Sequence, residues 1–436
     1  MFVFGDHEHS HHSMQAIVFL YGVRQVQELR ARVLGHQNYI ISIQNGKKKK
    51  KKKKRNLVDY SRLCVVYSRY IYFTATTCDD NIANHRMFVL ENTNADPFQG
   101  SFTFKGQIHD PTNKWAIDGT AFQLPSGQLY FIWSGWEGDT AAPQFLYIAE
   151  MSNPWTISSD RIEISRPTYP WEKSGGAEIN EGPEVTIRNG VISLVYSAAA
   201  CWTDNYCLGL ITASTNSNLM YPSSWHKHPN PIFQSANNVF GPGHHSFTIS
   251  PDGKEDWIVY HSARYEGSGE VRQVRTQKFT WNADSTPNLG TPIDRNTPIP
   301  IPSGELMRIR YEAESARLIN NPRIIPNNPT ASNRTKVGYI DYANSVVELT
   351  IQCNRAGTYV ILIRNANGTD GKPNSSHWLM INNATRIELP IVYSGWDMWG
   401  MVMIRANLVQ GVNTLTIMKG ANFAEIDEID IFPYQS

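Results

Sequence analysis

The sequence predicts an all-β protein: a five-bladed β-propeller over residues 59–303, followed by a β-sandwich over residues 304–436. Three observations carry this. Short strand-like runs recur at a near-constant interval: Leu129–Trp133 (LYFIW), Ser193–Ser197 (SLVYS) and Trp257–His261 (WIVYH) set Trp133, Tyr196 and Tyr260 at almost equal steps along the chain. A fourth run, Tyr70–Thr74 (YIYFT), puts Phe73 nearly one further step ahead of Trp133. A strand-rich, Gly-punctuated block repeating every ~60 residues is the mark of radially repeated sheets. The second observation is polar. Asp118, Glu181 and His244 follow one another at two equal steps of that same ruler, so equal phase puts all three near one axis. The third is a change of pattern. After the Pro-, Ser-, Thr- and Asn-rich stretch 284–304, about seven short strands fit into the remaining chain, as in a sandwich.

Composition sets the outer limits. The chain has 436 residues, a net charge of +1 and 41% hydrophobic residues, enough for two or three folded domains and no general case for nucleic acid. No run of 18 apolar residues exists, so no membrane span is expected. Aromatics reach 11%, which suits packed sheets and sugar stacking equally. Five cysteines cannot all pair within one chain; Cys201 and Cys207 are either a small-loop disulfide or buried thiols. Sequons at Asn333, Asn367, Asn374 and Asn383 are compatible with secretion, although no signal peptide is visible.

Residues 1–58 read differently from the rest: a tract with His7, His9, His11 and His12, one short helix near residues 25–34, and eight lysines, Lys47–Lys54. Such a lysine run repels itself and stays solvated. It reads as a low-complexity insertion or mis-assigned coding sequence; the functional alternative is an arm for polyanions. Blade-like sequence begins near Asp59. Strands are expected at 70–77, 86–91 and 101–105, then in the Asp118 block, where Gly127 turns the chain into 129–133, and at 145–149. The Glu181 block AEINEGPEV opens the third blade. There Gly182 permits a close bend and Pro183 removes a donor. Its strands continue at 191–196 and 208–213. His244 opens the fourth blade. The alternating run 271–281 is read as a fifth-blade strand, with Arg272 and Arg275 near the cavity or on a solvated face. In the sandwich, strands are expected at 311–314, 346–351, 358–364, 378–381, 401–405, 414–418 and 426–432.

The motifs WAIDGTAF, INEGPEV, GPGHHSF, DWIVYHSA and VRTQKFTW, in this order over residues 59–303, resemble glycoside hydrolase family 43, and within it the α-L-arabinofuranosidase and exo-arabinanase branch. YEAE, KVGYID, GTYVILIRNANG, GVNTLTI and AEIDEIDI resemble a carbohydrate-binding module of the family 6 and 35 type, a galactose-binding-like jelly roll. The resemblance implies an inverting glycosidase acting on terminal arabinofuranosyl groups of plant arabinan or arabinoxylan, secreted and monomeric. It gives Glu181 the role of general acid. Asp118 would raise the pKa of that acid and orient it. His244 and Trp136 would line the cavity, with an ion near His244. No cofactor is required for the chemistry. The family's general base normally stands in an Asp-Pro pair ahead of the first aromatic strand; here the nearest carboxylate is Asp59, followed by Tyr60. In the second domain the resemblance gives Glu312, Glu314 and Asp427 a structural calcium and makes Trp378, Trp396, Trp399 and Asn422 candidate sugar contacts. A β-xylosidase or endo-arabinanase is the neighbouring enzymatic reading. A sugar-binding protein without turnover follows if the base is missing, and an anion-binding protein if Lys47–Lys54 act.

Overall fold

The computed structural model describes residues 62–64, 70–76, 81–94, 101–141, 143–294, 297–305, 307–369 and 374–434. The histidine tract, Lys47–Lys54 and Asp59 lie outside the described residues. The all-β reading holds: among the described residues the helical pieces are five 3₁₀ turns of three or four residues each. The chain divides into two compact units between Glu305 and Leu306.

The first unit contains four antiparallel sheets among its described residues, each an up-and-down meander. The first runs Arg62–Cys64, Tyr70–Thr76, His85–Glu91, Thr103–Ile108. The second runs Ala116–Gln123, Leu129–Gly135, Phe145–Asn153, Thr156–Ile157, with Ile162–Ser165 also on Phe145–Asn153. The third is Asn180–Arg188, Val191–Ala198, Cys207–Ser214, His226–Lys227; the fourth is Phe240–Ile249, Asp256–Ala263, Arg272–Trp281, Pro287–Asn288. Tight turns explain the meanders. Arg188 pairs with Val191 across Asn189-Gly190, both with positive φ (49° and 79°), the two-residue hairpin that matches strand twist.

Because side chains alternate across a strand, a strand covered on both sides must be apolar at every position. The middle strands obey this. Phe131 and Trp133 pack with Tyr72, Met87 and Val89 of the first sheet. Their neighbours Tyr130 and Ile132 pack with Ile192, Leu194 and Tyr196 of the third. Val195, between the last two, turns to Ile258, Tyr260 and Phe279 of the fourth. Consecutive sheets thus stack face to face, which keeps the starts of their first strands close together.

One sequence expectation is corrected. Arg272–Trp281 does not open a fifth blade; it is the third strand of the fourth sheet, with Arg272 opposite Ala263. Alternation marks a strand but not its partner, and the short loop after Ala263 returns the chain beside Asp256–Ala263. The cysteine alternatives also resolve. Cys201 and Cys207 carry thiols rather than a mutual bridge. Cys201 Sγ lies 3.8 Å from Glu270 Oε1, whereas Cys207, pointing into the third sheet's packing, lies 3.9 Å from Ala198 O. Burial pushes the Cys207 thiol up to about 12.

The second unit has two antiparallel sheets. One contains Arg323–Ile325, Lys336–Gly338, Glu425–Pro433, Gly357–Asn367 and Gly395–Leu408, with Ile309–Glu312 also on Glu425–Pro433. The other contains Arg317–Ile319, Val346–Cys353, Gly411–Lys419, Asn374–Ile381 and Ile387–Val392. Ile361, Ile363 and Ile429 from the first meet Leu349, Leu379, Leu415 and Ile417 from the second in one core. Removing such a fully buried aliphatic side chain costs about 2–5 kcal/mol. Of the sequons, Asn333 and Asn383 are exposed at positive φ, while Asn367 is wholly buried.

Candidate active site

Asp118, Glu181 and His244 occupy equivalent places in three successive sheets. Each stands on the first strand, at a break in register. The shifts fall between Ile117 and Thr120, between Glu181 and Glu184, and between Gly243 and Ser246. A bulge bends the strand and re-aims the side chain beside it. The backbone is left-handed at Asp118 (φ 56°), Gly182 (φ 52°) and His244 (φ 48°), a region Asp and His enter more readily than most residues. At Gly182 a side chain would be crowded as well as strained. Besides its φ, a Cβ there would lie 3.1 Å from His244 Nδ1 and 3.3 Å from Ser197 Oγ.

These bulges bring the three side chains together. One ligand-type atom from each of Asp118, Glu181 and His244 lies within 4.8 Å of the others. Asp118 and Glu181 are 6% and 1% exposed, so two carboxyls share a nearly water-free position. Asp118 Oδ2 accepts the Gly182 N–H at 3.0 Å, which ties the second sheet to the third. The His244 N–H donates to Ser197 Oγ at 2.8 Å, tying the third to the fourth. Ser134 Oγ donates to Asn180 O at 2.9 Å in the same way. The Tyr206 hydroxyl donates to Glu181 Oε1 at 2.6 Å and lies 3.4 Å from His244 Nδ1. His244 Nδ1 is 4.0 Å from that same Oε1. Burial, with the Glu181 charge beside it, holds the Tyr206 phenol protonated, its pKa well above the usual range.

The adjacent histidines part ways. His244 faces the cluster, whereas His245 is 1% exposed with its ring edge-on to Phe247 at 4.9 Å. Burial, helped by His244, lowers His245 to about 3, so it stays neutral. Trp136 stacks on Trp115 with centroids 4.4 Å apart, and both pack on Ile117, next to Asp118. The two arginines do not act together. Arg272 is buried, and its Nη2 donates to Cys201 O at 2.9 Å, bracing the loop that leads to Tyr206. Arg275 turns to the other face and donates to Ile293 O at 2.5 Å. Three residues apart on one strand, they point to opposite faces, so the alternatives of cavity and solvated face do not apply to both alike. Asp59 lies outside the described residues.

Sequence reasoning did not find Tyr206, Ser197 or His261. The Tyr206 ring stacks on His261 (5.5 Å, 5°), and His261 on His244 (6.0 Å, 14°). The available signal was positional: Ser197 and His261 close the aromatic runs SLVYS and WIVYH.

In the second unit, Glu312 Oε1 accepts from Ser332 Oγ at 3.0 Å, while Glu312 Oε2 and Glu314 Oε2 are buried with no hydrogen-bond partner. Asp427 accepts the Ser332 N–H at 2.9 Å and pairs with Arg364. Burial pushes Asp427 up to about 6 against the pull of Arg364. Burial and the Glu312 charge also raise Glu314. Glu312 and Glu314 thus carry orphaned carboxylate oxygens of the kind a hard cation prefers, but among the described residues their ligand atoms do not lie together with that of Asp427 as those of Asp118, Glu181 and His244 do, and Arg364 already takes part of Asp427.

The four candidate sugar contacts do not form one site. Trp396, 38% exposed, lines a cavity of about 330 Å³ with Tyr339, Asp341, Phe423 and Glu425, and Asn422 precedes Phe423. Trp399 instead stacks under Arg364 (5.2 Å) and Lys336 (5.8 Å) and donates to Thr330 Oγ1 at 3.1 Å. Trp378 stands on the other sheet, opposite Glu388 and Met418.

Comparison with known proteins adds a family. The family model described as Glycosyl hydrolases family 43 matches residues 63–287. An extracellular exo-alpha-(1->5)-L-arabinofuranosidase of Streptomyces avermitilis is 44% identical over 240 residues, covering 53% of this chain and 49% of that protein. Alpha-L-arabinofuranosidase 43 of Humicola insolens is 42% identical over 228 residues, covering 49% of this chain and 46% of that protein. Among solved structures, an alpha-L-arabinofuranosidase from Lactobacillus brevis is 36% identical with a TM-score of 0.49, covering 54% of this chain and 77% of that one. The chain spans about half the length of the curated relatives it matches.

Proposed function

Since the chain belongs to glycosyl hydrolase family 43, we propose that it hydrolyses terminal α-L-arabinofuranosyl linkages of arabinan or arabinoxylan by inverting acid–base catalysis. The observation that carries this is the convergence of Glu181 and Asp118 with His244 at three bulged strand starts. In the proposed single displacement, the bond between C1 and the leaving oxygen breaks with its electron pair going to that oxygen. Glu181 gives this oxygen a proton. Water forms the new C1–O bond and passes its proton to a carboxylate base, for which Asp59 is the candidate. Asp118 anchors the bend at Gly182 and so keeps Glu181 in place. His244 and the Trp115–Trp136 stack border the sugar position.

The finer architecture belongs to the same proposal: a five-bladed propeller over residues 59–303, and a sandwich that binds polysaccharide through the Trp396 cavity. Glu312, Glu314 and Asp427 would hold calcium as a structural ion, and an ion near His244 would act through water. Secretion and a monomeric state complete the reading.

The test is release of arabinose from an aryl α-L-arabinofuranoside, with the anomer followed by NMR. The β-anomer should appear first, and Glu181→Gln should cut turnover by a factor of about 10²–10⁴ while the protein stays folded. A folded sample that turns over neither aryl arabinofuranoside nor aryl β-xyloside overturns the enzymatic reading. Preference for the xyloside would move the chain to the β-xylosidase alternative. Asp59→Asn with unchanged activity would remove Asp59 as the base.

A further inference from the structure

Tyr206 is wholly buried, yet its hydroxyl makes the shortest contact described for Glu181, 2.6 Å from Oε1. A phenol has one proton to donate. At 3.4 Å the His244 nitrogen is the poorer partner, so that proton goes to the carboxyl. We propose that Tyr206 is the positioning residue of the acid: by holding Oε1, it fixes the carboxyl plane in which the proton passes to the leaving oxygen. The proposal rests on Glu181 being the general acid.

The fold is built around this contact. A Cβ on Gly243 would lie 2.2 Å from Tyr206 Cε1, so the fourth sheet leaves out a side chain where the ring passes. His261 covers one face of the ring at 5.5 Å. Arg272, itself 7% exposed, holds Cys201 O at 2.9 Å, and Tyr206 N–H donates to Thr203 O at 3.3 Å, so the loop that delivers the ring is fixed at both ends. Three elements thus constrain a ring whose hydroxyl contacts the proposed acid. The groups facing this corner are Asp118 from the second sheet, Ser197 from the third, His244 and His261 from the fourth, and Cys201 and Arg272 around the loop. A donor held in place removes the orientational search from proton transfer, and misplacement by about 1 Å can cost about 10²-fold.

A leaving-group series tests this. Protonic assistance matters most when the departing oxygen is basic, so Tyr206→Phe should lower kcat about 10–100-fold for an arabinobiose or methyl arabinofuranoside and about 3-fold or less for a 2,4-dinitrophenyl one. KM should change little for either. A residue that merely supports the fold would lower both substrates in parallel, along with the melting temperature. Gly243→Ala is the second variant, because it displaces the ring while keeping the hydroxyl; it should reproduce the same selective loss. Parallel losses in both variants, or no loss, overturn the proposal. Failure of the acid reading looks different: wild type inactive on every substrate, or Glu181→Gln itself showing no dependence on the leaving group.

Discussion

Glu172 and Glu181 stand nine positions apart in sequence, and both are buried, at 0% and 1% exposure. Their surroundings differ completely. Glu172 Oε2 accepts the backbone N–H groups of Thr168 (2.7 Å) and Tyr169 (2.8 Å). Its Oε1 accepts Asn180 Nδ2 (2.9 Å), Tyr196 OH (2.8 Å) and Lys227 Nζ (2.7 Å). Burial alone would raise this carboxyl. Lys227 and the two backbone donors outweigh it and hold Glu172 below the usual range. Glu181 has the Tyr206 hydroxyl on Oε1, the His244 imidazole at 4.0 Å and the Asp118 carboxyl in the same cluster. A fully supplied buried carboxylate is a brace whose proton is irrelevant. One that meets a tyrosine hydroxyl, an imidazole and a second carboxyl has the surroundings the proposed acid requires. Burial by itself does not separate the two; the identity of the donors does.

The largest effect expected from this contrast is on turnover. Glu181→Gln should cut kcat by a factor of about 10²–10⁴ with little change in melting temperature. Glu172→Gln should do the reverse. It leaves the Lys227 ammonium buried without its counter-charge, a loss of about 3–5 kcal/mol of stability, with turnover of the folded fraction largely retained. Thermal melts and single-substrate kinetics on both variants decide the matter. If Glu172→Gln inactivates without destabilising, the brace assignment fails.

A smaller effect follows from comparing the units. In the first, Glu172, Asp252, Glu255 and Asp284 all sit below their ordinary range, held there by hydrogen bonds and cations. In the second, Glu314, Glu425, Asp427 and Glu428 are raised, by burial first and neighbouring carboxylates after it. The signs are opposite. A lowered carboxyl stabilises the fold above its unfolded pKa, and that contribution is lost as pH falls through the lower folded value. A raised one favours the fold below its unfolded pKa, and that contribution is lost as pH rises through the folded value, about 6 for Asp427. Between pH 6 and pH 4, without divalent cations, the second unit should therefore gain stability, by an amount on the order of 2 kcal/mol. Saturating calcium, if Glu312, Glu314 and Asp427 bind it, should abolish the gain. Calorimetry across that range checks both statements; a second unit that weakens on acidification refutes the sign.

Much of this was legible in the chain. The interval shared by Asp118, Glu181 and His244 survives as a shared place at three bulges, because a repeated sheet repeats its geometry along with its length. Arg272 and Arg275 were read alike for want of a pleat argument, since three residues along a strand reverse the face. The strand at 272–281 was visible, but its partner depends on a loop that alternation does not describe. Tyr206 left no trace because it has no counterpart on the ruler: the same step taken back from it reaches Pro143, and taken forward reaches Gly269. Its role arises from a loop folding back between sheets, a contact that no local pattern encodes.

The smallest effect separates two tryptophans three residues apart. Trp396 is 38% exposed and lines the cavity with Tyr339 and Phe423, the proposed sugar-binding position. Trp399 already has its faces committed to Arg364 and Lys336 and its N–H to Thr330. Stacking of this kind contributes about 0.5–1.5 kcal/mol. Trp396→Ala should therefore weaken retention on insoluble arabinan by about 2- to 10-fold at unchanged melting temperature. Trp399→Ala should lower the melting temperature first, because it strips a cover from Arg364 and so from Asp427, and should affect retention only through that loss. Affinity electrophoresis in arabinan gels, run beside melts of both variants, tells these apart. Equal retention by wild type and Trp396→Ala would move the sugar contact elsewhere in the unit, with Trp378 on the opposite sheet the next residue to change.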